Sequence, residues 1–153
     1  MKIKINFVIA LTIVTMLASC GGGSEQKAAQ TATKPPMTND QDPMTNKGTG
    51  PIKQVVLGEL DPAMAAEGEE IFKKLCSACH KPTEKFIGPA PKGIMERRTP
   101  EWIMNMILNP EEMVKVDPVA KKLLVEHNLA PMANQHLTEE QARKVLEYFR
   151  TIR

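Results

Sequence analysis

Aromatic side chains are scarce in this chain, four Phe, one Trp and one Tyr among 153 residues, and cysteine is scarcer still, with three. So few rings cannot build the cores of two domains, and the length supports one domain plus accessory segments. Three cysteines are too few for a disulfide scaffold and cannot pair evenly, so each needs its own chemical reason. An excess of one charge is also missing: the net charge is +2, and Lys2 and Lys4 at the N-terminus account for it. A chain otherwise balanced lacks the clustered basic face that nucleic acid requires. Nor is any apolar run long enough to cross a bilayer core of about 30 Å as a helix.

What is present begins with a leader. Lys2 and Lys4 precede an apolar stretch from Phe7 to Ala18, the pattern of an export signal over residues 1–19. Leu17-Ala18-Ser19-Cys20 follows, with Gly21-Gly22-Gly23 after it. The small residues before a cysteine resemble the bacterial lipoprotein signal, which implies that Cys20 becomes the lipidated first residue of an exported, membrane-anchored chain. Residues 20–60 are rich in Gly, Ser, Thr, Pro, Gln and Asn and show almost no apolar periodicity before Val55-Val56-Leu57. Such a segment buries too little surface to offset chain entropy and is expected to be a flexible linker, with a root-mean-square span of about 35 Å. Pro36-Met37-Thr38-Asn39 recurs as Pro43-Met44-Thr45-Asn46. Two thioethers without a third ligand make a poor copper site, so the repeat reads as duplicated low complexity.

From Asp61 to Arg153 the signals are helical, and the fold class expected is all-α. Asp61-Pro62 is a helix start, a capping carboxylate followed by proline at the first helical position. Thr99-Pro100-Glu101 starts a second helix carrying Trp102, Ile103, Met106 and Ile107, which Asn109-Pro110 ends. Asp117-Pro118 starts a third, and Thr138-Glu139-Glu140-Gln141 is a capping box ahead of Ala142, Val145, Leu146 and Phe149. Four helices with so few rings make a thin core, and something apolar is expected to complete it.

The other two cysteines lie in Cys76-Ser77-Ala78-Cys79-His80. Two thiols at this spacing can each add to one vinyl group of a haem while the next residue offers an imidazole to the iron, which is the c-type attachment signature. Two alternatives use the same residues. A thioredoxin-like dithiol would need a strand before the motif, and here a helix runs into it. A zinc site would recruit His127 or His136 beside Cys76, Cys79 and His80, with His80 awkwardly adjacent to Cys79. For a sixth iron ligand, Met132 is best placed, in a loop between two helices, whereas Met64, Met95, Met104, Met106 and Met113 lie on or beside helices. His127 and His136 flank the same loop as alternatives, and an open position would give a haem enzyme or gas sensor instead of a carrier.

Residues 61–153 resemble a class I single-haem cytochrome c. Gly68 and Phe72 match the family's glycine and aromatic on the first helix, and Val145 and Tyr148 match their partners on the last. Gly88-Pro89 corresponds to the family's Gly-Pro, which implies that the Pro89 carbonyl accepts the ring hydrogen bond of His80. Trp102 resembles the family tryptophan near a haem propionate. The ligand loop departs slightly, reading Pro131-Met132 where many relatives read Met-Pro. The resemblance implies covalent haem c, iron held by His80 and Met132, and one-electron exchange with donor and acceptor proteins rather than action on a small-molecule substrate. Lys81, Lys85 and Lys92 near the motif are candidates for a docking ring, or else a solvated loop. Lipid, tether and haem together resemble periplasm-facing lipoprotein cytochromes that feed respiratory terminal reductases or oxidases, among them those accompanying nitrous oxide reductase.

Overall fold

The computed structural model of the chain describes residues 42–153, so Cys20, the leader and the first copy of the methionine repeat lie outside the described residues. Five α-helices and one short 3-10 turn, Ile94–Glu96, make up the regular structure, and no strand occurs among the described residues. The helices are α1 (Pro62–Leu75), α2 (Pro100–Leu108), α3 (Pro110–Val116), α4 (Pro118–Glu126) and α5 (Glu139–Thr151). None is long and apolar enough to cross a membrane.

The expected helix starts are built as their residues dictate. Asp61 Oδ1 accepts from the amides of Ala63 and Met64 at 2.9 and 3.0 Å. Thr99 Oγ1 accepts from Trp102 N at 3.1 Å, and Asp117 Oδ1 from Ala120 N at 2.7 Å. Thr138 and Gln141 form the reciprocal capping box, 3.2 Å one way and 2.9 Å the other. One helix was not expected. Asn109-Pro110 ends α2 as read, but Pro110 also serves as the first residue of α3, with Glu111 and Glu112 in the first turn, where the helix dipole favours acidic groups.

The long helices α1 and α5 cross at Gly68. A methyl at Gly68 would overlap the backbone carbonyl of Lys144, so only glycine permits this approach. Phe72 then packs against Tyr148 and Phe149, with ring centroids 5.5 and 5.8 Å apart. The core around this crossing adds Ile103, Ile107, Met113, Val145 and Leu146.

Composition misled over the end of the linker. Residues 46–60 form a strap packed on the helical domain, so the flexible linker expected over 20–60 does not extend that far. Ile52 is buried in the core cluster, with Val55 and Leu57 against it. The strap has few apolar side chains because its backbone is held by side chains of the helices. Asn105 Oδ1 accepts from Ile52 N, and its Nδ2 donates to the carbonyls of Lys47 and Ile52, each at 2.9 Å. Thr99 Oγ1 donates to Asn46 O at 2.6 Å, Glu101 accepts from Val55 N at 3.1 Å, and Glu147 accepts from Asp61 N at 2.9 Å. Asn46, which closes the second methionine repeat, is buried and donates to Asp117 Oδ2 at 2.6 Å. That copy of the repeat is a structural element rather than low-complexity chain, although Met44 itself is exposed.

Candidate haem site

One large cleft runs between α1, the loop after the cysteine motif, α2, α4 and the loop before α5. It encloses about 1490 Å³ free of protein atoms, part of it open to solvent. Its wall is mostly apolar and includes Cys76, Cys79, His80, Pro89, Trp102 and Met132. The fold therefore gathers into one cleft residues that lie more than fifty positions apart. Among the described residues no group of three or more His, Cys, Asp and Glu side chains is arranged to hold a metal ion, so the zinc alternative lacks its ligands.

The cysteine motif leaves the end of α1 as a turn. Cys76 caps the helix through its amide to Phe72 O, Cys79 N donates to Cys76 O at 3.1 Å, and His80 N to the same oxygen at 2.9 Å. Cys76 is half-buried and Cys79 exposed. Burial, with Cys79 beside it, pushes the Cys76 thiol up to about 11. At Cys76 the environment therefore disfavours the thiolate that an attacking thiol would need.

His80 Nδ1 lies 2.8 Å from the Pro89 carbonyl. A carbonyl can only accept, so Nδ1 carries the proton and Nε2 keeps the lone pair a metal needs. Gly88 makes this bond possible, because a methyl there would lie about 2.7 Å from His80 Nδ1. The loop is pinned in turn by Gly88 N donating to Cys79 O at 2.8 Å.

Trp102 lies on the cleft wall, but its ring nitrogen is not free for a propionate. Nε1 donates to Asp117 Oδ1 at 3.1 Å, on a buried carboxylate that also caps α4. Trp102 thus forms part of the cleft wall and ties α2 to α4. The polar group available is one that sequence reasoning missed. Arg98 lines the cleft with a buried Nε that has no hydrogen-bond partner in the protein, and its guanidinium stacks 5.3 Å from the Trp102 ring. Burial first, and then the charge of Arg97, lower its pKa from the ordinary arginine value, so the group favours an anion beside it. A haem propionate would offer that donor an acceptor, and the cleft fits haem in its apolar wall, its attachment residues and this unpaired donor.

The alternative ligands separate. His136 is exposed and is not on the cleft wall. His127 is buried on the wall, with Nδ1 2.9 Å from the Ile87 carbonyl. Of the lysines suggested as a ring, Lys81 sits 5.1 Å over the Phe86 ring and Lys85 Nζ donates to Glu126 O at 3.0 Å. Lys92 is exposed on the following turn.

Comparison with known proteins agrees with this geometry. The family model for cytochrome c matches residues 65–153. A cytochrome c from Rhodothermus marinus is 48% identical, covering 67% of this chain and 89% of its own, with a TM-score of 0.65. An engineered form of that protein, bound to a carbene intermediate, superposes with a TM-score of 0.62 at the same identity, covering 67% of this chain and 89% of its own. The cytochrome c domain of a Pseudomonas putida protein is 28% identical, covering 55% of this chain and 85% of its own, with a TM-score of 0.51. Comparison with curated protein sequences gives no match. The family match covers more than half the chain, and the cleft is built from its attachment motif: the chain belongs to the cytochrome c family, carrying covalently bound haem c for electron transfer.

Proposed function

We propose that this protein is a membrane-tethered electron carrier whose iron is held by His80 and Met132 and whose acceptor is a respiratory terminal reductase or oxidase. One observation carries the ligand assignment. His80, with its Nδ1 proton committed to Pro89 O, and Met132 line the same cleft, so the chain offers an imidazole nitrogen and a thioether that would hold the iron. His127 is the weaker candidate, because its ring Nδ1 is already committed to the Ile87 carbonyl and ties the ring to the loop behind His80.

Haem c, when bound, supplies an iron that takes up and returns one electron. The residues do the rest. Cys76 and Cys79 hold the group covalently, Arg98 Nε offers a donor to a propionate, and a thioether from Met132 favours a higher potential than an open position would. With His80 and Met132 both holding the iron, no vacancy would be left for a substrate. A lipid on Cys20 would concentrate the protein at a bacterial membrane, facing the periplasm after export.

The test is spectroscopic. Ferric protein should show the weak far-red charge-transfer band of an iron–thioether bond, and the ferrous form should not bind carbon monoxide. Met132→Ala should lose the band, admit carbon monoxide and lower the potential. An unchanged spectrum in that variant removes Met132 and promotes His127 or His136, whereas carbon monoxide binding by the parent protein favours an open-site enzyme or sensor. For the tether, Cys20→Ser protein loaded with haem should support less electron flow in membranes, and nitrous oxide reductase is the acceptor to assay first.

A further inference from the structure

Between the loop behind His80 and the loop carrying Met132 the fold has a seam, and two hydrogen bonds cross it. His127 closes α4 and is 8% exposed; its Nδ1 lies 2.9 Å from Ile87 O and therefore carries the proton. Lys85 Nζ donates across the same seam to Glu126 O at 3.0 Å. Residues 85–87 are thus tied to residues 126–127. Ile87 directly precedes Gly88-Pro89, which is itself fixed to Cys79 O and to the His80 ring.

Beyond His127 the chain turns through Asn128 and Leu129 at φ of 56° and 58°. This is the left-handed region, which asparagine tolerates but which is costly for Leu129, and two such residues in succession are unusual. Leu129 is 65% exposed, so burial does not compensate for it. The turn is closed by Leu129 N to Leu124 O at 2.9 Å and Ala130 N to His127 O at 3.0 Å. Met132 follows three residues later. Its upstream side is therefore set by a turn hung on the last residues of α4, held by the two bonds across the seam, while downstream Asn134 Nδ2 donates to Leu108 O at 3.3 Å.

From this we infer that His127 is a positioning residue, a latch that fastens the Met132 loop to the loop behind His80 and so keeps the sulfur on the iron. The inference rests on Met132 being the sixth ligand. Breaking the latch leaves the chemistry of the iron and its ligands unchanged and alters how often the loop swings away.

The experiment uses ferric holoprotein and imidazole as probe. Imidazole can bind only after the thioether leaves, so its binding rate at saturation reads loop opening. His127→Leu keeps bulk and removes the donor, and opening should speed up about tenfold, the effect of roughly one charge-neutral buried hydrogen bond. His127→Asn places an amide nitrogen where Nδ1 was and should stay within about twofold of the parent protein, restoring the latch through the conservative residue. Lys85→Met, at an exposed position that tolerates substitution, should give about a two- to threefold increase, and it decides the matter if His127→Leu does not accumulate with haem. Asn105→Ala, which destabilises the domain away from the cleft, should leave the opening rate unchanged. Equal rates for His127→Leu and the parent, a rate for His127→Asn matching that for His127→Leu, or an unaffected Lys85→Met would each overturn the latch. A parent protein that lacks the far-red band overturns the Met132 assignment and the latch with it, and this is read separately because it appears before any variant is made.

Discussion

Asn105 offers the sharpest test of the strap. Its side chain is almost completely buried and satisfies three backbone groups of the strap at once: the Ile52 amide, the Ile52 carbonyl and the Lys47 carbonyl, each at 2.9 Å. Asn105→Ala removes all three partners while leaving the strap unable to reach water without peeling away. At about 1 kcal/mol net per hydrogen bond, the loss should be roughly 3 kcal/mol. For a domain of this size that is a fall of roughly 10–20 °C in Tm. Denaturant unfolding of the holoprotein gives the free energy, and hydrogen exchange at the Ile52 amide locates the loss, since that amide should exchange through local strap release. Asn105 is not on the cleft wall, so the visible spectrum should not change. Asn105→Asp should be no milder, because it keeps an acceptor for Ile52 N but sets a carboxylate against two carbonyls. A loss below about 0.5 kcal/mol, the range of ordinary surface substitutions, would refute the view that the strap is part of the domain.

Three further outcomes follow from the same geometry. A chain starting at Asp61 should lose more stability than Asn105→Ala, because Ile52 burial goes with the hydrogen bonds; a flexible linker over 20–60 predicts equal unfolding midpoints, so the two accounts separate in one denaturation experiment. Gly68→Ala should cost about 3 kcal/mol or more, since the methyl meets the Lys144 backbone carbonyl, which cannot move aside without parting α1 from α5; calorimetry of the holoprotein measures it. Acid should loosen the strap at both ends: burial raises the pKa of Glu101 and Glu147, but the opposing bonds win and hold both below 4.5, these being the Val55 amide and Lys47 for Glu101, and the Asp61 amide, Arg150 and Arg143 for Glu147. A depressed folded pKa contributes stability that is present above the unfolded value and lost as pH falls through the folded one, so unfolding free energy should drop below about pH 4.5 and drop less steeply in Glu147→Gln.

Much of the site was legible because its signals act over a few residues. Cys76, Cys79 and His80 are fixed by covalent spacing, and Asp61, Thr99, Asp117 and Thr138 cap amides two or three residues onward. Those features follow from the chain alone, as does the need for an apolar group to complete a core with so few rings. The resemblance to cytochromes c added the pairing of Gly68 with α5 and of His80 with Pro89, and both are present. What tertiary structure decided involves partners distant in sequence. The strap looked disordered because its backbone is satisfied by Thr99, Glu101 and Asn105, side chains some fifty residues away, and backbone groups leave no periodic mark in a sequence. Trp102 gave its ring nitrogen to Asp117 rather than to the cleft, a choice made when α4 folds back beside α2. Arg98 and His127 were ordinary polar residues in sequence. One became an unpaired donor on the cleft wall and the other a tie across its seam, because burial makes each polar atom find a partner, and only the folded chain settles which partner is within reach.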